Sequence, residues 1–222
     1  MANAVSRLRS AVHENGPVGL ARKVAGRGAH SVLLNEDHIW YALALGADRP
    51  RRPLPEGFEL RMAGADESDA VAQLPNQPGV DEIRSRIAGS ADVYMVSEDG
   101  KPAFACTIFR DRTPTVAARG GWLDLPDDTV CLEDSGTSPD FRGRGVAPGA
   151  WSAIADELAE RGFHTMLTKV TVDNEPSRRA VAKAGFREAA EMHMRRVGPF
   201  RRVALSPLGA PGAEFLVSLL GG

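Results

Sequence analysis

The sequence predicts a mixed α/β fold, a central sheet with helices packed on it. Three observations carry this. Period-two apolar alternation or β-branched runs recur in "FELRMA", "DVYMVSEDGKPAFACTIF", "TVCLEDSGTS", "HTMLTKVTV" and "EMHMRRV". Helical spacing recurs between them, and the resulting order is βααββ followed by βαβαβ. With 222 residues the chain is long enough to bury roughly 70% of its unfolded surface.

Taken in order, residues 1–54 form a first section, with Val5, Leu8 and Val12 on a short helical stripe and glycines around Gly26-Arg27-Gly28. "SVLLNEDHIWYALAL" reads as two strands about a polar turn, or as one strand with an irregular approach. "GADRPRRPLPEG" is a proline-rich, charged linker. "FELRMA" is a strand, and "GADESDAVAQL" and "GVDEIRSRIAG" are two short helices. Glu98-Asp99-Gly100 marks a hairpin, residues 111–128 form a long loop, and residues 129–138 the next strand. Ala147, Trp151, Ile154 and Leu158 keep helical spacing until Gly162. Residues 164–172 are a strand, "NEPSRRAVAKAG" a helix closed by Gly185, and "EMHMRRV" a last strand before a tail at 200–222.

Composition narrows the function. A net charge of -2 supplies no long-range field for nucleic acid or anionic lipid. The arginine pairs at 51–52, 178–179, 195–196 and 201–202 read as solvated faces. Two cysteines, Cys106 and Cys131, are too few for a disulfide framework or a zinc cluster, so no metal is expected. The N-terminus lacks a signal-like apolar segment, and no apolar run approaches the ~20 residues needed to span a bilayer. The expectation is a cytoplasmic protein with no membrane or nucleic-acid partner.

The segment "SPDFRGRGVAPGAW" joins a strand to a helix and is the most informative stretch. A helix start leaves its first N–H groups unpaired, with the positive end of the helix dipole behind them, which makes a seat for an anion. Gly143 and Gly145 permit close backbone approach, and Arg142 and Arg144 can add charge-assisted contacts. Pro148 falls where N–H groups have no intrahelical partner anyway. A P-loop lacks its lysine here, and a dinucleotide motif lacks its acidic residue at the right distance, since the next strand ends only at Asp173. The fragment "RGRG" is too isolated for an RNA-binding tract.

Arg142-Gly143-Arg144-Gly145-Val146-Ala147 resembles the Arg/Gln-x-x-Gly-x-Gly/Ala pattern of the GNAT superfamily of acyl-CoA-dependent N-acetyltransferases. "VDNEPSRRAVAKAGF" is similar to the family's later strand-helix segment, and "EDSGTSPDFRGRG" to the strand before the loop. The resemblance covers residues 57–198 in element order and is closest between 130 and 187. It implies a mostly antiparallel sheet with helices on both faces. It divides the chain into an extension at 1–54 (helix plus strands), a GNAT-like domain at 55–199 and a tail at 200–222.

The same resemblance implies acetyl-CoA or another acyl-CoA as co-substrate. Its pyrophosphate would lie on residues 142–147, and its pantetheine between splayed strands 129–138 and 164–172. Backbone groups near Gly136 and Thr137 would bond the pantetheine, and Asn174 and Ser177 would contact the cofactor or fix the opening. Asn174 also suits a helix cap. The acceptor is a small-molecule or peptide amine, and a homodimer is compatible with the reading. Direct attack needs a neutral amine, and Glu133 matches the position that supplies a base, directly or through water, in part of the family; substrate binding or a structural ion pair are its alternatives. Asp134 should face the other side of the strand unless a bulge intervenes.

Val181 stands where many members carry a tyrosine acid, and the two tyrosines, Tyr41 and Tyr94, lie elsewhere. His164 and His193 read as structural, and Cys131 lacks a histidine partner for nucleophilic duty. Trp122 and Leu123 suit either an acceptor pocket or a hydrophobic plug. An acyl-CoA-binding sensor or scaffold without turnover, and transfer from an acyl carrier protein, are the competing readings.

Overall fold

The computed structural model describes residues 33–46, 48–89, 91–197, 200–210 and 214–220; the stripe at Val5 and the glycines near Gly26 lie outside them. The strands are β1 (Leu33–Ala44), β2 (Phe58–Met62), β3 (Ala91–Glu98), β4 (Lys101–Phe109), β5 (Arg112–Pro114), β6 (Trp122–Asp124), β7 (Thr129–Thr137), β8 (Thr165–Thr171), β9 (Arg187–Val197) and β10 (Phe200–Pro207). The helices are α1 (Ser68–Ala72), α2 (Val80–Ala88), α3 (Val146–Glu160), α4 (Glu175–Lys183) and α5 (Glu214–Leu220). Among the described residues, eight strands form one sheet in the order β10-β9-β1-β8-β7-β4-β3-β2, and β5 and β6 form a separate hairpin. Only β7 and β8 pair parallel, so the sheet is mostly antiparallel.

Helices cover both faces. On the first, α3 and α4 pack through Trp151, Ile154, Leu158 and Val181 onto Tyr41, Val96, Phe104, Val130 and Met166. Ile154 and Leu158 are fully buried, each stabilising by about 1.5–3 kcal/mol. On the second face, α1 and α2 cover Val93, Met95 and Ala105. Further along that face, α5 and the β5–β6 hairpin cover Trp40, Cys131, Leu167, Met192 and Met194.

"SVLLNEDHIWYALAL" settles into one strand, because β9 pairs with its polar stretch and holds it extended, and from His38 onward β8 pairs with the other edge. Thus β1 lies in the sheet interior, and the sheet draws on all three predicted sections of the chain. The tail supplies the edge strand β10 and the helix α5, whose Leu216 and Leu220 are buried.

The proline-rich stretch is a packed strap and not a linker. It crosses the outer side of α3 on its way from β1 to β2. The buried Arg49 donates to Ser152 Oγ (3.2 Å) and Ser152 O (2.9 Å), and the Arg52 N–H to Ser152 Oγ (3.0 Å). A Cβ on Gly149 would meet Leu54 Cα and Pro53 O at 2.9 Å, so only glycine lets the strap lie this close. Residues 111–128 likewise hold the β5–β6 hairpin in place of an unstructured loop, and its Leu123 is buried in the core.

Candidate active site

The turn into α3 is open. Gly143 and Gly145 have φ of 78° and 82°, a left-handed conformation that side chains with a Cβ rarely adopt. A Cβ at Gly143 would meet nothing within 4 Å, and one at Gly145 only Pro55 Cγ at 3.9 Å. The first backbone bond of the helix runs from Gly149 N–H to Gly145 O (3.1 Å). Among the described residues, the N–H groups of Gly143, Arg144, Gly145, Val146 and Ala147 find no acceptor. Pro148, third in α3, has no N–H to leave unpaired. An unpaired run of amides at the start of a 15-residue helix can receive a diphosphate.

The two arginines of the motif make different contacts within the chain. Arg144 pairs with both carboxylate oxygens of Glu98, one at 2.9 Å, and lies over the rings of Phe58 (4.6 Å) and Phe141 (5.5 Å). Its guanidinium is engaged in bracing the turn against β2 and β3. Arg142 donates to Thr137 O (3.3 Å) and is otherwise exposed.

The turn stands at the mouth of a gap in the sheet. Register pairs between β7 and β8 run from Thr129–Thr165 to Leu132–Thr168 and stop there, where Thr168 Oγ1 donates to Leu132 O (2.8 Å). Beyond that point β7 follows β4, with Gly136 opposite Ala105 and Thr137 opposite Phe104. On the other side β8 follows β1, with Thr171 opposite His38. The two strands therefore part between Glu133–Thr137 and Lys169–Thr171, as the splay expectation required. Gly136 admits the connection between α1 and α2: a Cβ there would fall 1.7 Å from Pro75 O. Across the gap, Asn174 Oδ1 accepts from Ser177 N–H (3.2 Å), so the capping alternative is realised at the start of α4.

A bulge brings both acidic residues of β7 to one face. Thr107 lies opposite Glu133 and Ala105 opposite Gly136, with the irregularity between them, and Asp134 has φ of 51°. The buried Arg86 donates to Asp134 Oδ2 (2.6 Å) and to Thr107 Oγ1 (3.1 Å), fixing Asp134 on the second face beside Glu133. Gln77 and Asn76 side chains donate to Asp134 O and Ser135 O, the latter at 2.9 Å, holding the bulge from the same side.

Glu133 itself is buried in an ion pair with Lys169, and its carboxylate also meets Thr113 Oγ1 (3.3 Å) and Cys131 Sγ (3.4 Å). Lys169 donates further to Pro114 O (3.1 Å) and lies 5.3 Å from the centre of the Trp40 ring. Burial pushes the Glu133 carboxyl up, against the pull of Lys169. Burial opposes the Lys169 charge, but its acidic neighbours, Glu133 foremost, together outweigh it and hold the ammonium above its ordinary range.

Two residues that sequence reasoning passed over, Glu36 and His38, lie on the same face. His38 is 5% exposed, its Nδ1 has no hydrogen-bond partner, and Glu36 Oε2 is 3.9 Å away. Burial and the nearby Lys169 lower the His38 pKa to about 4, while burial raises that of Glu36. The signal for them was present: Glu36, His38 and Trp40 alternate along one strand, so the polar pair shares the buried face of the tryptophan.

The remaining predicted residues sit elsewhere. Tyr41 OH donates to Glu188 (3.3 Å) and Tyr94 OH to Glu157 (2.7 Å), both on the first face. Cys106 and Cys131 are free and buried on opposite faces. His164 lies 3.5 Å from Asp128 and His193 2.8 Å from Asp37, both exposed. Trp122 is at the surface against Phe109 and Arg112. A cavity lined by Arg110, Asp111, Leu125, Asp127 and Phe163 opens beside the start of β7, at the end of the sheet away from the α3 turn. No helix among the described residues is long and apolar enough to cross a membrane.

A sequence model of the acetyltransferase (GNAT) family matches residues 67–186. No curated protein matches the chain. Among solved structures, a Drosophila protein superposes with a TM-score of 0.56 at 15% identity, over 83% of this chain and 59% of its own. A GNAT-family acetyltransferase from Colwellia psychrerythraea gives 0.54 at 13%, over 82% and 63%. A protein from Novosphingobium aromaticivorans, described as a GNAT-family acetyltransferase, gives 0.51 at 17%, over 81% and 68%. The chain thus spans about three fifths to two thirds of the length of these structures, and at such identities the likeness concerns the fold.

Proposed function

The chain belongs to the GNAT acetyltransferase family and is an acyltransferase by that membership; from this premise we propose that it moves an acetyl or other acyl group from coenzyme A to a primary amine, by direct attack in a ternary complex. The observation that carries the reading is the run of unpaired amides at residues 143–147, exposed at Gly143, Arg144 and Gly145, at the mouth of the β7–β8 gap. The fit to a diphosphate is good: left-handed glycines, no obstructing side chain, and the positive end of α3 behind them. In this reading Gly143, Arg144, Gly145, Val146 and Ala147 hold the diphosphate through backbone N–H groups, with Arg142 at the rim. The freed edge of β7 near Gly136 and Thr137 would bond the pantetheine arm. When bound, the coenzyme supplies an activated acyl carbon and a thiolate leaving group.

The chain's own residues prepare the acceptor. Glu133 faces the point where the strands part, and its carboxylate meets the incoming amine there. Because Lys169 already occupies that carboxylate, proton removal by Glu133 requires the amine to compete with the ammonium. The same pairing, with Val181 and two distant tyrosines, favours a second reading in which acyl-CoA binds without turnover. Release of free coenzyme A with a panel of primary amines separates the two.

The anion seat is tested by Gly145→Val. A β-branched residue at φ 82° costs about 1–3 kcal/mol of backbone strain and crowds the amides. Coenzyme A affinity by calorimetry should fall about tenfold or more, while a cooperative melt shows that the variant folds. Unchanged affinity in the folded variant would remove the seat from this turn.

A further inference from the structure

Four titratable side chains meet on the second face of the sheet: Glu36 and His38 from β1, Glu133 from β7 and Lys169 from β8. Their side chains are 10%, 6%, 7% and 7% exposed. The family match begins only at residue 67, so β1 brings Glu36 and His38 from outside it. Lys169 neutralises Glu133 by direct contact. Glu36 has no cation within ion-pairing distance among the described residues apart from the imidazole, whose Nδ1 is 3.9 Å away. The buried His38 Nδ1 is itself unpartnered. With a neutral imidazole, two carboxylates and one ammonium leave a single negative charge, and a buried charge without a partner is costly. One further cation with N–H bonds to give would satisfy both the charge of Glu36 and the lone pair of His38.

Resting on the acyltransferase reading above, we propose that Glu36 and His38 form the subsite for the acceptor's ammonium group, with Glu36 as its counter-charge and His38 as the residue that accepts its proton. The acceptor class is a primary alkylamine on a slender chain, because the cluster is buried and has room in its charge balance for one cation. One N–H bond of the ammonium breaks, and its proton passes to His38 Nδ1 and on to solvent by way of Glu36, the most exposed of the four. The freed amine lone pair forms the bond to the acyl carbon, the carbon–sulfur bond breaks, and the second amine proton leaves with the thiolate as thiol. Burial favours the neutral imidazole, so its lone pair is available at neutral pH. The charged groups around His38 are Glu36 and Asp37 on its own strand and Lys169 on β8, with Glu133 on β7 acting on Glu36; its register partner on β9 is the uncharged Met192.

The test uses the full chain with labelled histidine, saturated with coenzyme A and titrated with n-butylamine as probe, the His38 signals being assigned with His38→Asn. The His38 ring signals should shift saturably. Glu36→Gln should weaken the apparent n-butylamine affinity about tenfold or more and leave coenzyme A affinity within about twofold. His38→Asn should lower kcat/KM for n-butylamine about a hundredfold and flatten the acid limb of its pH profile, which a merely structural role would not do. His38 signals that stay fixed across the titration, or an unchanged amine affinity in Glu36→Gln, overturn the proposal while leaving the acyltransferase reading intact. Failure of the wild-type chain to bind coenzyme A overturns both.

Discussion

Replacing Lys169 by methionine tests how the buried pair is held together. The substitution keeps an unbranched chain of similar volume under the Trp40 ring, 5.3 Å from the native ammonium, but removes the charge and the bonds to Glu133 and Pro114 O. Glu133, with its side chain 7% exposed, then keeps, among the described residues, Thr113 (3.3 Å) and Cys131 (3.4 Å) as neighbours able to donate. Breaking a buried pair by removing one partner costs about 3–5 kcal/mol, because the surviving charge remains desolvated. At about 2–4 °C per kcal/mol for a chain of this size, the melting temperature should fall by roughly 6–20 °C. Lys169→Met with Glu133→Gln removes both charges and should recover most of that loss.

The pH dependence has a definite sign. Without the ammonium, burial raises the Glu133 carboxyl further above its ordinary 4.5. A raised folded-state pKa gives stability that is present at low pH and lost as pH rises through it, so the Lys169→Met deficit should shrink on acidification from neutrality. Calorimetric or circular-dichroism melts of the four proteins of the cycle at pH 5 and 7 measure these quantities. Losses that simply add in the double variant would refute the account, since additivity means that the two side chains do not feel each other.

Three other predictions follow from the same contacts. Glu133→Gln should leave coenzyme A affinity unchanged and lower turnover about tenfold by freeing Lys169 to compete with the acceptor's ammonium, with the pH–rate profile unaltered; a profile that loses its acid limb would make Glu133, and not His38, the base. Because His38 is depressed to about 4 from 6.5, it contributes stability above pH 6.5 that is lost as pH falls toward 4, roughly 3 kcal/mol in all. His38→Asn should lack that loss in acid-denaturation curves compared between pH 7 and 4. Gly149→Ala should destabilise by about 1–2 kcal/mol, although alanine favours a helix, because its Cβ meets the Leu54 and Pro53 backbone at 2.9 Å; a raised melting temperature would show that the strap yields.

What the sequence determined alone was local. Alternation and helical spacing located β2, β3, β4, β7, β8 and β9 and the helices between them, since these patterns depend on neighbours a few residues apart. The glycine spacing at 143–145 marked the left-handed turn into α3 for the same reason: a turn at a helix start is a property of consecutive residues. The tertiary structure decided what depends on distant pairings. The polar "NED" of β1 is extended because β9 pairs along it and the Val172 N–H, just past β8, bonds Asp37 O, both more than a hundred residues away in the chain. The proline-rich strap is ordered by Ser152 and Gly149, and the register shift opposite β4 turns Asp134 to the side of Glu133. The partners of each ionisable group, Lys169 for Glu133 and Glu98 for Arg144, were also set at this level. Side-chain periodicity says which face a residue prefers, whereas strand order and register say what it meets there, and only long-range hydrogen bonding sets those.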